Sequence, residues 1–305
     1  MTPHMPTRAF VPAAAALLML CLGLGACANG SDHAVESVSV DGRDRLITIP
    51  VTDADGRVTQ MQTRVCRPAT DEPSRLVVIN HGSPADASRR PAIKPGRCDD
   101  EPTQWFLQRG YVVAFPLRRG YGATGGTWAE NYGACDRADY FHAGLETARD
   151  IDAAVDGLTK LPFVRPGGVI VVGQSAGAWG TVASDSRPHP KVSALIAMAP
   201  GRGGHVDGVP NMNCAPDRLI EAAGRYGATS STPILWVTTA NDTFFAPPLA
   251  RAIEQSFTAG GGKADFEPLG LYSKNGHNFF LEPGASAVWG PIVERYLAQQ
   301  GTTSP

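Results

Sequence analysis

"VIVVGQSAGAWG", Val169 to Gly180, runs through four apolar residues, then Gly-Gln-Ser-Ala-Gly, then a second apolar stretch. In a chain with 34 glycines, a serine with glycine two positions away on each side arises by coincidence in about one such chain in five, so the five letters alone decide nothing. Their setting carries more. Val169 to Gly173 reads as a strand and Ala176 to Ser184 as a helix, which places Ser175 on the turn between them. A sharp strand-to-helix turn strains its central residue and requires small neighbours two positions away. It also exposes the serine hydroxyl and sets the amide of Ala176 at a helix N-terminus, where it can donate to an oxyanion. A glycine-rich helix entry that cradles phosphate needs GxGxxG, or GxxxxGK followed by Ser or Thr, and this stretch has neither.

Outward from that turn, "RLVVIN" (75–80), "YVVAFP" (111–116), "VSALIAMA" (192–199), "PILWVTTA" (233–240) and "ADFEPLG" (264–270) are further apolar runs. Runs of this kind fit strands buried on both faces of a parallel sheet. Ahead of them "RLITIPV" and "RVTQMQTRV" flank Asp55-Gly56 and read as a β-hairpin. Helices are predicted over 103–109, 145–158, 176–184, 248–257 and 285–298. The pattern predicts an α/β fold: eight strands in one mostly parallel sheet, helices on both faces, and one domain over residues 45–300. The Gly- and Pro-rich stretch 201–231 is expected as a small cap insertion over the site.

In such a sheet ligands bind where the strands end, so the residues that follow each strand are the candidates. After Arg75–Asn80 comes "HGSP", His81 to Pro84, where Gly82 lets the backbone come close and the amide of Ser83 can donate to an oxyanion. After Pro233–Ala240 comes "ANDTFF", offering Asp242; after the last strand comes "SKNGHNFF", offering His277. A histidine with its ordinary pKa near 6.5 can serve as base and then as acid. Ser, Asp and His thus appear in that order, each beyond a different strand. Asp185, Asp207, Asp217 and Asp265 compete poorly for the acid, as do His142, His189 and His205 for the base, each being at the wrong end of an element or out of order. Tyr121, Trp128, Tyr132, Trp179, Phe244 and Phe245 also fall near strand ends, and Tyr121, Trp179 and Phe244 are the residues named for substrate contact. Arg118 and Arg119 suit either a substrate carboxylate or a structural ion pair.

GQSAG at Ser175, HGSP at His81–Pro84, Asp242 and His277 in this order resemble the α/β-hydrolase superfamily, and "PLRRGYGATGG" is similar to segments of its dienelactone hydrolase and prolyl-oligopeptidase-like branches. The resemblance covers about residues 45–297. It departs from the first branch in having serine where those enzymes have a nucleophilic cysteine, and from the second in lacking a propeller domain. It implies that Ser175 attacks an acyl carbon, that His277 takes its proton while Asp242 orients the ring, and that the amides of Ser83 and Ala176 hold the oxyanion. It implies no metal and no organic cofactor. The leading expectation is a carboxylesterase-like serine hydrolase acting on a small-molecule ester. A peptidase on the same three residues, and a binding lipoprotein that keeps only the fold, are the alternatives.

At 305 residues with 43% hydrophobic residues the chain can bury a large core, and a net charge of −2 gives no reason to expect nucleic acid or an obligate protein partner. The N-terminus is different in kind. "MTPHMPTR" is followed by the apolar "AFVPAAAALLMLCLGLGA", which reads as a secretory signal over residues 1–26. Leu24-Gly25-Ala26-Cys27 resembles the lipobox of bacterial lipoproteins and implies lipidation at Cys27, followed by a tether over 27–44; cleavage by the ordinary signal peptidase, with Cys27 incidental, is the alternative. Ala28 after that cysteine favours the outer over the inner membrane, while loss of the anchor would leave the protein periplasmic or secreted. Cys66, Cys98, Cys135 and Cys214 remain, an even number in an exported chain, so disulfides are expected. Three pairings exist; Cys66 with Cys98 and Cys135 with Cys214 is preferred, because the second pair would tie two loops near the site.

Overall fold

The computed structural model describes residue 1, the backbone of residues 35–37, and residues 42–302. The chain divides into two units, Met1–Asp32 and His33–Pro305. The export signal beyond Met1, the lipidation site Cys27 and most of the tether lie outside the described residues. Among those described, no helix is long and apolar enough to cross a membrane.

One sheet organises the second unit. Its strands are β1 (Val35–Ser37), β2 (Asp44–Thr52), β3 (Val58–Cys66), β4 (Leu76–Asn80), β5 (Val112–Pro116), β6 (Val169–Gln174), β7 (Val192–Met198), β8 (Ile234–Thr239) and β9 (Ala264–Leu269), in the spatial order β1-β2-β3-β5-β4-β6-β7-β8-β9. The eight strands expected are β2 to β9. The ninth, β1, pairs antiparallel with the start of β2 inside the segment read as tether. β2 and β3 form the hairpin around Gly56, whose φ of +80° suits glycine. β3 runs antiparallel to β5, and from β5 to β9 every pairing is parallel.

Among the described residues the α-helices are α1 (Glu101–Leu107), α2 (Tyr140–Leu158), α3 (Ala176–Asp185), α4 (Pro216–Gly227), α5 (Pro247–Ala259) and α6 (Ser286–Gln299). Along the buried strands successive side chains alternate between two cores, as a pleated strand requires. Val77 and Ile79 join Trp105 and Phe106 of α1 and Trp289 and Val293 of α6, whereas Val78 joins Ile151, Trp179, Tyr226 and Phe257 of α2 to α5. Each such side chain contributes about 1.5–3 kcal/mol by leaving water.

Two helices differ from expectation. α2 begins five residues earlier than predicted, at Tyr140, because the Asp139 side chain accepts the amide of His142 and caps the first turn. α4 lies inside the stretch expected as a cap and corrects that reading. It is the crossover that a parallel β7–β8 pair requires, and it turns Leu219, Ala222, Ala223 and Tyr226 into the core of the flanking layer. Only the first part of the insertion, residues 201–208, borders the site.

Of the three pairings the structure forms Cys66–Cys98 and Cys135–Cys214. The first ties the end of β3 to the segment before α1; the second ties the loop before α2 to the loop before α4.

Candidate active site

β4 and β6 are neighbours at the centre of the sheet, with Asn80 level with Gly173. From β4 the chain leaves toward β5 on one side, and from β6 toward β7 on the other, so the two strand ends diverge and open a crevice. The loop after β4 carries Ser83 and the turn after β6 carries Ser175.

Ser175 has φ 55° and ψ −117°, a conformation that side chains rarely adopt, between the last residue of β6 and the first of α3. Its amide donates to the Met198 carbonyl at 2.9 Å, and its carbonyl accepts from Trp179 N at 2.9 Å. The flanking glycines are required by contact. A Cβ on Gly173 would sit 2.4 Å from the backbone of Gly177, and one on Gly177 would sit 2.2 Å from the Asn80 carbonyl oxygen. At Gly82 the constraint comes from side chains, since its Cβ would meet Gln174 Oε1 at 2.4 Å and Ser175 Cβ at 3.2 Å. The bare backbone lets the Ser83 loop approach the serine.

The structure brings Ser175, His277 and Asp242 together. His277 Nε2 lies 2.9 Å from Ser175 Oγ, and His277 Nδ1 lies 2.9 Å from Asp242 Oδ2 and 3.0 Å from Oδ1. All three are buried. Asp242 Oδ1 also accepts the amides of Phe244 at 2.7 Å and Phe245 at 2.9 Å, which orients the carboxylate. Ser83 and Ala176 border the same cavity as Ser175, with Ala176 at the first position of α3. The line from carboxylate through imidazole to hydroxyl is one along which a serine proton can be removed and the resulting imidazolium held.

Several residues that place His277 were not anticipated. Gln174 Nε2 donates to the His277 carbonyl at 3.1 Å, and Asn275 Oδ1 accepts both His277 N and Thr243 N at 3.1 Å. Gly276 passes so close to β8 that a Cβ would meet Thr239 Oγ1 at 2.0 Å. Phe244 is stacked between two imidazoles, 4.1 Å from His277 and 3.6 Å from His205 between centroids. A ring face on His277 fixes its plane. Polar residues beside a histidine loop were the available signal, but which of them reach it is settled only by the fold.

Of the residues named for substrate contact, Phe244 borders the site, whereas Tyr121 and Trp179 do not. Trp179 lies four residues past Ser175, one turn along α3 on its core face, and its Nε1 donates to the Tyr140 carbonyl. Tyr121 is buried against the ring of His81 and accepts from Trp128 Nε1. His81 donates from Nδ1 to the Gly82 carbonyl and accepts the Arg118 amide at Nε2. Burial, reinforced by the Arg118 charge, holds its pKa well below the ordinary histidine value, so it is a neutral strut of the Ser83 loop. Arg118 pairs with Glu130, and Arg119 with Asp150 and Glu146. Both are structural ion pairs. Trp128, Tyr132 and Phe245 do line the site.

Two cavities meet at Ser175. The wider, about 920 Å³, is lined by His277, Asn278, Leu281, His205 and Lys94 among others; the smaller, about 300 Å³, runs past Ala176 to Trp128, Tyr132, Arg90 and Arg202. A larger cleft of about 1100 Å³ beside β2 and β3 contains none of the three residues. Among the described residues the one cluster with metal-ligand spacing is Asp44, Cys66 and Cys98, in which the two sulfurs are bonded to each other.

A strand–serine–helix turn at the divergence point of such a sheet, with acid and histidine on the loops after later strands, defines the α/β-hydrolase class of fold. A model of the alpha/beta hydrolase family matches residues 76–303, and the chain belongs to that family. A search of curated protein sequences finds no match. Among solved structures the chain is similar to an acylaminoacyl peptidase of Pyrococcus horikoshii, with TM-score 0.60 and 13% identity over 84% of this chain and 41% of that one. It is also similar to Est1E of Butyrivibrio proteoclasticus, with TM-score 0.52 and 14% identity over 83% and 98%. A third is the Pyrococcus furiosus esterase Pf2001, with TM-score 0.54 and 17% identity over 83% and 92%. The chain thus spans about two fifths of the peptidase and nearly the whole of either esterase. At these identities the likeness is one of fold.

Proposed function

We propose that this chain is a serine hydrolase that cleaves carboxylic esters through an acyl-enzyme. The observation that carries the reading is the unbroken hydrogen-bonded line from Asp242 through His277 to Ser175 Oγ. His277 Nε2 removes the Ser175 proton as Oγ bonds to the acyl carbon, and Asp242 stabilises the resulting imidazolium. The carbonyl oxygen becomes an oxyanion held by the amides of Ser83 and Ala176; one such donor is worth about 2.7–4 kcal/mol in comparable sites. His277 then protonates the departing alkoxide, and the alcohol leaves. Water, deprotonated by the same histidine, releases the acid and restores Ser175.

Ester is preferred to peptide because the chain matches nearly the full length of two esterases but a minority of the peptidase. Export and lipidation at Cys27 rest on the sequence, and the two disulfides support an oxidising compartment. A fluorophosphonate probe should label the protein and fail to label Ser175→Ala, with ester turnover falling by about 10⁴-fold or more. Equal labelling of both proteins overturns the reading. Short and long acyl p-nitrophenyl esters beside aminoacyl amides divide esterase from peptidase.

A further inference from the structure

The two cavities at Ser175 are chemically different, and the position of His277 says which part of a substrate each receives. The leaving oxygen must come within reach of His277 Nε2 to be protonated, so the leaving group occupies the wide cleft that His277 lines. The acyl part lies on the other side, in the 300 Å³ cavity bordered by Ala176. That cavity contains two guanidiniums, Arg90 and Arg202, and no carboxylate among its described lining residues.

Neither guanidinium is fully satisfied. Arg90 lies flat on Trp128, 3.4 Å from the ring centroid, and its buried Nε has no hydrogen-bond partner. Among the described residues no acid forms an ion pair with it. The Arg202 side chain is 2% exposed and pairs through Nη2 with Glu130 and Thr147, while its Nε has no partner. Glu130 is itself shared, since Arg118 Nε takes its other oxygen at 3.1 Å. Asp150, the next acid toward Arg118, is itself paired with Arg119, so among the described residues the guanidinium at this cavity without an acid is that of Arg90. Burial lowers Arg202 only to about 10, so it stays cationic at neutral pH.

We propose that this cavity selects acyl groups that end in a carboxylate, with Arg90 as the main specificity-determining residue and Arg202 behind it. Stacking on Trp128 holds the Arg90 plane in advance and leaves its in-plane donors for a carboxylate. The substrate class is then a half-ester of a short dicarboxylic acid. Ser175 still forms and breaks the bond at the ester carbon, and the distal carboxylate is unchanged by the reaction. This rests on the serine-hydrolase reading.

The test is butanol release from monobutyl glutarate and from butyl methyl glutarate, in which the distal charge is capped, beside 4-hydroxybutanoate release from its butyrate ester, which carries the carboxylate on the alcohol side. The half-ester should exceed the capped diester in kcat/KM by about tenfold or more. The third substrate should show no such advantage, and added salt should shrink the preference. Arg90→Gln should bring the ratio of half-ester to diester close to one, with Arg90→Lys between. Asn131→Asp, on an exposed position of the same cavity, should lower the ratio without touching either arginine. A wild-type protein that hydrolyses the diester as well as the half-ester overturns the inference, as does an unchanged ratio in Arg90→Gln. Absence of turnover on all three substrates together with no fluorophosphonate labelling overturns the underlying reading instead.

Discussion

The two walls of the cleft at Ser175 are built on opposite terms. One wall runs from the loop after β4 through the elbow to α3, and in its elbow and helix Ser175 is the one non-glycine residue with positive φ. Its shape follows from small residues at fixed places: Gly82, Gly173 and Gly177 stand where a Cβ would strike backbone or the Gln174 side chain. The other wall is residues 201–208, part of a segment, 199–215, that holds Ala199, His205, Asp207, Asn211 and Ala215 in the left-handed region, none of them glycine. Each costs on the order of 1 kcal/mol or more, and such a loop keeps its shape only where surrounding contacts over-determine it. Those contacts come from elsewhere in the chain. Cys214 is bonded to Cys135 and its carbonyl accepts from Tyr140 Oη, Asn213 Nδ2 donates to the Phe244 carbonyl at 2.6 Å, and Asn211 N donates to the Thr243 carbonyl at 2.7 Å. One wall is held by what its residues lack, the other by what its residues are tied to.

That contrast can be broken from either side. The largest effect on catalysis is expected from Gly177→Ala, whose new methyl meets the Asn80 carbonyl and forces β4 and α3 apart. A loss of about 1–3 kcal/mol in unfolding free energy is expected, with about a hundredfold fall in kcat from displacement of Ser175. Unchanged values in denaturant titration and steady-state kinetics would show that the elbow tolerates bulk. Next comes the double replacement Cys135→Ser with Cys214→Ser, which opens a link between residues 79 apart in sequence. Stability should fall by about 2–4 kcal/mol. KM should rise more than kcat falls, because the strained wall loosens while the elbow keeps its form. Proportional loss of both parameters would mean that the two walls are not independent.

The smallest effect concerns the far end of α3, the helix that the elbow begins. Asp185 there is buried and accepts from Thr232 N at 3.0 Å, from Ser230 Oγ and from His189 Nε2 at 3.2 Å. The hydrogen bond to Asp185, against the opposing effect of burial, raises the His189 pKa above its ordinary value. A raised folded pKa means that the contribution is complete below the unfolded value, about 6.5, and is lost as pH rises through the folded value. His189→Ala should therefore destabilise the protein more at about pH 5.5 than at about pH 9. Equal thermal shifts at both pH values would remove His189 from the ties that hold α3.

What could be read from the chain and what could not divides along the same line. The strands were legible because burial on both faces leaves continuous apolar runs, and Ser175, Asp242 and His277 were legible because each follows such a run in an order one topology demands. α4 was missed although Leu219, Ala222, Ala223 and Tyr226 have helical spacing, because glycine, proline and asparagine on the flanks read as loop. Trp179 and Tyr121 were placed at the cleft by nearness in sequence. A helical turn carries the first to the core face of α3, and the ring of the second is buried against His81.

Order along the chain and local periodicity were enough for the fold and for the three residues at its strand ends, since both express short-range geometry that repeats within a few residues. The lining of the acyl-side cavity, the stacked Phe244, the Gln174 and Asn275 contacts that seat His277, and the guanidiniums of Arg90 and Arg202 were decided by packing. They come from loops far apart in sequence that meet only when the sheet closes its two cores, and no spacing in the chain encodes which side chains will then face one another.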